Sequence, residues 1–286
     1  MKNKKIYFIV GPSRSGSSLL EERLNSIDGI TAFGELRWFF RRGFLDNEIC
    51  GCRKRFHDCH FWKRFNESYT IQDAKVYDDL RVYFDKFINI IPIFFSAFRS
   101  SKWQENFNNY QTGLNKLYLG LFRDHKYIVD NSKSPFYFFL LDHSLGSKDV
   151  EIIPILYDRE CISIVDSYAK DKVRKESISQ ELMTKKSFPH VLMYLLAIRL
   201  ISKFIKVRRR DSVEIRYKHF CLNEKKILAR ITGLEINQFH IENYHSVSGN
   251  PDRIDGLGET LYRKRHKKGI FDIKYMISYF FDKITL

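Results

Sequence analysis

Residues 6 to 20 constrain the fold more than any other stretch: Ile-Tyr-Phe-Ile-Val-Gly-Pro-Ser-Arg-Ser-Gly-Ser-Ser-Leu-Leu. Ile6 to Val10 is an unbroken apolar run of strand length, as expected of a central parallel strand buried on both faces. Gly11 and Pro12 end it. Gly16 then opens a helix that puts Leu20, Leu24 and Ile27 on one face. Between strand and helix lies Gly11-x-x-x-x-Gly16-Ser17-Ser18, the frame of a phosphate-binding loop. Such a loop works because free backbone N–H groups at a helix N-terminus point at an anion, and the helix dipole adds to the attraction. Loops that hold a nucleoside triphosphate place a Lys before the Ser/Thr to reach the outer phosphates. Ser17 stands there instead. The strong cation of this loop is Arg14, whose planar fork suits an oxyanion. On these residues alone, a Ser/Gly-rich turn without a ligand is also open.

The run Pro12-Ser13-Arg14-Ser15-Gly16-Ser17-Ser18 resembles the 5′-phosphosulfate loop of sulfotransferases that use 3′-phosphoadenosine-5′-phosphosulfate (PAPS), the bacterial and tyrosyl-protein types in particular. The resemblance implies one sulfotransferase domain over residues 1–286. Its fold would be α/β and P-loop-like, in three layers, with a central parallel β-sheet flanked by helices. It implies PAPS as nucleotide donor, an acceptor hydroxyl or amine with carbohydrate among the candidates, and no metal requirement. The acceptor and the oligomeric state are not readable.

Further motifs recur in the order the resemblance requires. Ile30 to Phe33 reads as a short strand ending at Gly34-Glu35, and the resemblance makes Glu35 the catalytic base; a surface carboxylate pairing with Arg37 or Arg41 is the alternative. Lys126 to Asp130 reads as a strand leading into Asn131-Ser132-Lys133, where Lys133 would stabilise the leaving phosphate. The local alternative is an Asx-turn and helix cap with Pro135 in the first turn. Val150 to Asp158 is the strongest strand. Arg159 after it and Ser167 in the next helix keep the separation of the family's 3′-phosphate site, although Tyr157 stands where the family often has Arg. Ser212 to Tyr217 reads as a strand, with Tyr217 placed by resemblance near the adenine, and His219 to Gly233 as a helix. His245-Ser-Val-Ser-Gly249-Asn250-Pro-Asp-Arg253 matches a family pattern in which Gly249, Asn250 and Arg253 close over the nucleotide. Locally it is a Gly-Asn-Pro turn.

Residues 65–124 carry apolar positions at helical spacing, among them Leu80, Phe84, Leu114, Leu117 and Leu121. They read as a helical insertion beside the acceptor, or simply as core helices. Ahead of them, Cys50, Cys52, His57 and Cys59 offer four zinc ligands. Cys-x-Cys is tighter than the usual spacing and no second ligand pair follows, so a packed structural loop is preferred.

The net charge of +15 calls for an anionic partner without choosing one. A nucleotide or small-molecule kinase of the P-loop type would need the missing Lys, although Asp130 or Asp158 could serve as its magnesium carboxylate. A nucleic-acid-binding protein would need basic residues interleaved with aromatics, and no such module is visible. No secretory pattern follows the basic Met1 to Lys5, and the apolar runs 87–98 and 191–207 are broken by Asn89, Pro92 and Arg199. These features predict a cytoplasmic protein without a transmembrane segment, whose five cysteines stay reduced. A basic C-terminal extension covers about residues 257–286.

Overall fold

The computed structural model of the chain describes residues 4–146, 149–169, 186–236, 245–248 and 273–286. The chain opens with β1 (Lys4–Val10), α1 (Ser17–Asn25) and β2 (Ile30–Ala32). A 3-10 turn (Leu36–Trp38) and a π-helical segment (Phe39–Leu45) follow. Then come α2 (His60–Asn66), α3 (Ile71–Phe84), α4 (Ile91–Phe94) and α5 (Ser101–Leu121). The second half contributes β3 (Tyr127–Lys133), α6 (Pro135–Leu145), β4 (Val150–Asp158), α7 (Cys161–Ala169) and α8 (Phe188–Arg208). It closes with β5 (Val213–Arg216), α9 (Tyr217–Leu222), α10 (Glu224–Thr232) and α11 (Ile273–Thr285).

Among the described residues the strands form one five-stranded sheet in the order β2-β3-β1-β4-β5. Every pairing is parallel. β1 is central because both its faces are apolar. Ile6, Phe8 and Val10 join a core with Ile128, Ile152, Phe138 and the aromatics of α2 to α5. Tyr7 and Ile9 join the opposite core with Leu20, Leu24 and Ile27, and with Phe220 and Leu228 of α9 and α10. Burying one such side chain contributes roughly 1.5–3 kcal/mol, so a polar residue at Phe8 or Ile9 would break the sheet at its centre. The expected three-layer α/β fold with a parallel sheet is therefore present.

Local boundaries differ where side chains find tertiary partners. β3 continues to Lys133 rather than stopping at Asp130, because Asp130, Asn131 and Ser132 are buried and hydrogen-bonded. Tyr217 is the first residue of α9, not the last of β5. The single helix expected over 219–233 is divided at Asn223, whose φ of −138° is not helical.

By length and composition alone α8 is apolar enough to cross a membrane. Arg199, which interrupts its apolar run, sits within the helix. The guanidinium is 4 % exposed and pairs with Asp158 at 2.7 Å and Asp282 at 2.8 Å. It also donates to Thr285 and to the Arg159 carbonyl. A charge satisfied this fully can sit on the buried side of a helix. α8 packs on β4, α7 and α11. The final part of the basic extension is thus the packed helix α11; residues 257–272 lie outside the described residues.

Candidate functional site

The loop after β1 sits at the C-terminal edge of the central strand, where open parallel sheets bind ligands. A β-carbon on Gly11 would come within 2.0 Å of the Tyr157 carbonyl oxygen, so the loop leaves β1 pressed against β4. The Gly11 N–H donates to the Lys133 carbonyl at 3.2 Å, tying the same point to β3. Arg14 (φ 71°) and Gly16 (φ 88°) are both left-handed. A β-carbon on Gly16 would also strike the Tyr217 ring at 2.5 Å, so this glycine is required for its φ and for the close approach. The Ser13 N–H donates to the Tyr194 hydroxyl of α8 at 2.9 Å, so a loop amide already faces an oxygen acceptor outside the loop. The Arg14 guanidinium lies 5.6 Å from the Tyr168 ring of α7. Ser15 is fully buried and its hydroxyl has no partner among the described residues; Ser17 and Ser18 are buried too. A cavity of about 110 Å³ reaches the loop at Pro12 but is otherwise walled by α8, β4, β5 and the C-terminus, away from these groups.

Arg159 stands just past β4. Its guanidinium lies 4.2 Å from the Tyr217 ring, and its buried Nε has no hydrogen-bond partner among the described residues. Asp158 is committed elsewhere: its carboxylate pairs with Arg199 and accepts the Arg159 backbone N–H at 2.7 Å. Gly16, Tyr217 and Arg159 therefore form one stack across the ends of β1, β5 and β4. Ser167 is half-buried on the second turn of α7, next to the Tyr168 that meets Arg14. Gly249, Asn250 and Arg253 lie outside the described residues.

On the other side of the loop, the Glu35 carboxylate pairs with the Lys133 ammonium. Glu35 donates its backbone N–H to the Val247 carbonyl at 2.7 Å, and Val247 donates to the Phe33 carbonyl at 2.8 Å. The Ser132 hydroxyl accepts the Arg37 N–H at 3.0 Å. Asn131 donates its N–H to the Gly34 carbonyl at 2.8 Å and its side chain to Glu21 at 2.7 Å. The end of β3 thus fixes the Gly34–Arg37 turn. Lys133 itself has a φ of 62°, an uncommon conformation for a non-glycine residue and one that concentrates at functional sites. Burial by itself would raise the Glu35 pKa. The Lys133, Arg42 and Arg37 cations outweigh it and hold the carboxyl below its ordinary value. The surface-carboxylate alternative is excluded by this enclosure; Arg37 spends its guanidinium on Asp85 and Arg41 on Asp46.

Both carboxylates considered for magnesium are occupied. Asp130 is fully buried, accepts from the Ser132 N–H and hydroxyl and from the Tyr118 hydroxyl, and burial lifts its pKa to about 6. Asp158 is the Arg199 partner. The cysteine segment also corrects its reading. Cys50, Cys52 and Cys59 converge, but His57 does not join them: its Nε2 bonds the Phe44 carbonyl at 2.8 Å and its ring packs on Phe44 and Phe56. His245 takes that place. The signal in the sequence is that three cysteines leave a fourth ligand position, which a histidine distant in the chain can fill.

No protein-family model and no curated protein matches the chain. Among solved structures the chain is similar to the sulfotransferase domain from the Synechococcus PCC 7002 olefin synthase. The identity is 16 %, over 100 % of this chain and 96 % of that one, with a TM-score of 0.44.

Proposed function

We propose that the protein is a PAPS-dependent sulfotransferase. The observation that carries this reading is the enclosed Glu35–Lys133 pair, set beside a phosphate loop that has Arg14 and no Lys. In the proposed reaction the loop N–H groups and Arg14 hold the 5′-phosphosulfate. Arg159 and Ser167, with Gly249, Asn250 and Arg253, hold the 3′-phosphate, and Tyr217 lies at the adenine. The acceptor hydroxyl or amine attacks sulfur in line, Glu35 takes its proton, the sulfur–oxygen bond to phosphate breaks, and 3′-phosphoadenosine-5′-phosphate leaves. Arg14 and Lys133 offset the charge that grows on the sulfuryl and phosphate oxygens.

The ion pair gives Lys133 a second task. While it faces Glu35, the carboxyl is a weak base. When the donor draws the ammonium toward the phosphate, burial acts with less opposition and Glu35 becomes a stronger base at the moment a proton must be taken. No step uses a metal ion, and a cytoplasmic location belongs to the same proposal.

Transfer of radiolabelled sulfate from PAPS to a panel of carbohydrates, peptides and small alcohols tests it. Wild-type protein labels a member of the panel, and Glu35→Gln labels it about 10²–10⁴-fold more slowly while binding nucleotide normally. Undiminished transfer by Glu35→Gln contradicts the assigned base.

A further inference from the structure

We propose that Cys50, Cys52, Cys59 and His245 form a structural zinc site that pins the backbone behind Glu35. The four ligand atoms all lie within 4.8 Å of one another. Zinc bonds of about 2.3 Å to sulfur and 2.0–2.1 Å to nitrogen, at tetrahedral angles, set neighbouring ligand atoms roughly 3.5–3.8 Å apart. The Cys52 and Cys59 sulfurs are 3.6 Å apart, and His245 Nδ1 stands 3.1 Å from Cys59 and 4.0 Å from Cys50. Adjustments of up to about 1 Å, within reach of side-chain rotations, complete the tetrahedron.

The chain is shaped for it. The Cys50 N–H donates to the Lys54 carbonyl, the Arg53 N–H to the Cys50 carbonyl, and Arg53 turns with a φ of 68°. This knuckle brings two cysteines one residue apart to the same point, which the tight spacing had argued against. The His245 ring is stacked on Phe61 (5.0 Å, 7°) and meets His60 edge-on, so its direction is fixed by packing. Cys50 and Cys59 are buried and all three cysteines are free thiols. Three soft thiolates and an imidazole, with no fifth donor among the described residues of the cluster, select zinc in a closed, structural role.

The site joins segments distant in sequence. Gly51 donates to the Ser246 carbonyl at 3.1 Å, and the next residue, Val247, exchanges hydrogen bonds with Phe33 and Glu35. Zinc would therefore fasten the 50–59 loop to the segment that holds Glu35 in place. This holds whatever reaction the protein catalyses.

The test is metal analysis of full-length protein purified under reductant from zinc-supplied cells, with cobalt substitution. The expected result is one zinc per chain, and for cobalt the thiolate charge-transfer absorption and intense visible bands of a tetrahedral ion. His57→Ala keeps both, and His245→Ala loses the bound zinc. Wild-type protein without stoichiometric zinc that gives the weak octahedral cobalt spectrum overturns the proposal. So does loss of zinc in His57→Ala with retention in His245→Ala. The wild-type arm decides even if a variant fails to fold.

Discussion

The Lys133 ammonium and the Glu35 carboxylate pair across the ends of β3 and the β2 turn, with side chains only 12 % and 13 % exposed. Burial and the cation pull the carboxyl pKa in opposite directions, and the cations prevail. Because the folded pKa lies below the ordinary value, Glu35 stays ionised to lower pH than a free carboxyl does. The pairing contributes stability above the ordinary value and loses it as pH falls through the folded one.

Replacing Lys133 with Met should therefore do two things to catalysis. The acid limb of the pH profile of kcat/KM should move to higher pH, because burial now acts with less opposition on Glu35. Turnover on the plateau should fall by about 10²-fold or more as the leaving phosphate loses its cation. An unchanged acid limb would show that Glu35 is not the titrating base.

Asp130 behaves in the opposite sense. Its folded pKa of about 6 exceeds the ordinary 3.8, so the folded state binds the proton more tightly. Stability is highest below the ordinary value and is lost as pH rises toward the folded one. Asp130→Asn removes that loss and can keep the Ser132 and Tyr118 contacts. Urea unfolding should show the variant gaining on wild type by up to roughly 3 kcal/mol between about pH 4 and pH 7. A difference that stays flat with pH contradicts the buried-carboxylate account.

Much of this was legible in the chain because β1 has apolar residues on both faces, which only a central strand can bury. The loop followed from Gly11 and Gly16. The parts that were not legible are tertiary pairings. Lys133 and Glu35 are 98 residues apart, and Ser13 meets Tyr194 across 181. His57 looked like a metal ligand because it lies among the cysteines, whereas His245 reaches Cys59 from 186 residues away. The partners that let Arg199 sit buried within α8 come from β4 and α11, out of reach of any local reading.

The 3′-phosphate assignment rests on Arg159, whose Nε has no protein partner among the described residues. Arg159→Ala should weaken 3′-phosphoadenosine-5′-phosphate by about ten- to a hundredfold, the worth of a charge-assisted bond of roughly 1.5–3 kcal/mol. Adenosine-5′-phosphosulfate, which lacks that phosphate, should be spared. Equal weakening of both ligands would place Arg159 in the scaffold, holding Tyr217.

The central claim is that the loop takes a 3′-phosphoadenosine nucleotide and not a magnesium triphosphate. Titration calorimetry of wild-type protein with 3′-phosphoadenosine-5′-phosphate and with ATP, each with and without magnesium, tests it most directly. The account predicts micromolar or tighter binding of 3′-phosphoadenosine-5′-phosphate without magnesium, and weaker binding of ATP under both conditions. Tighter binding of ATP, and only when magnesium is present, would contradict it.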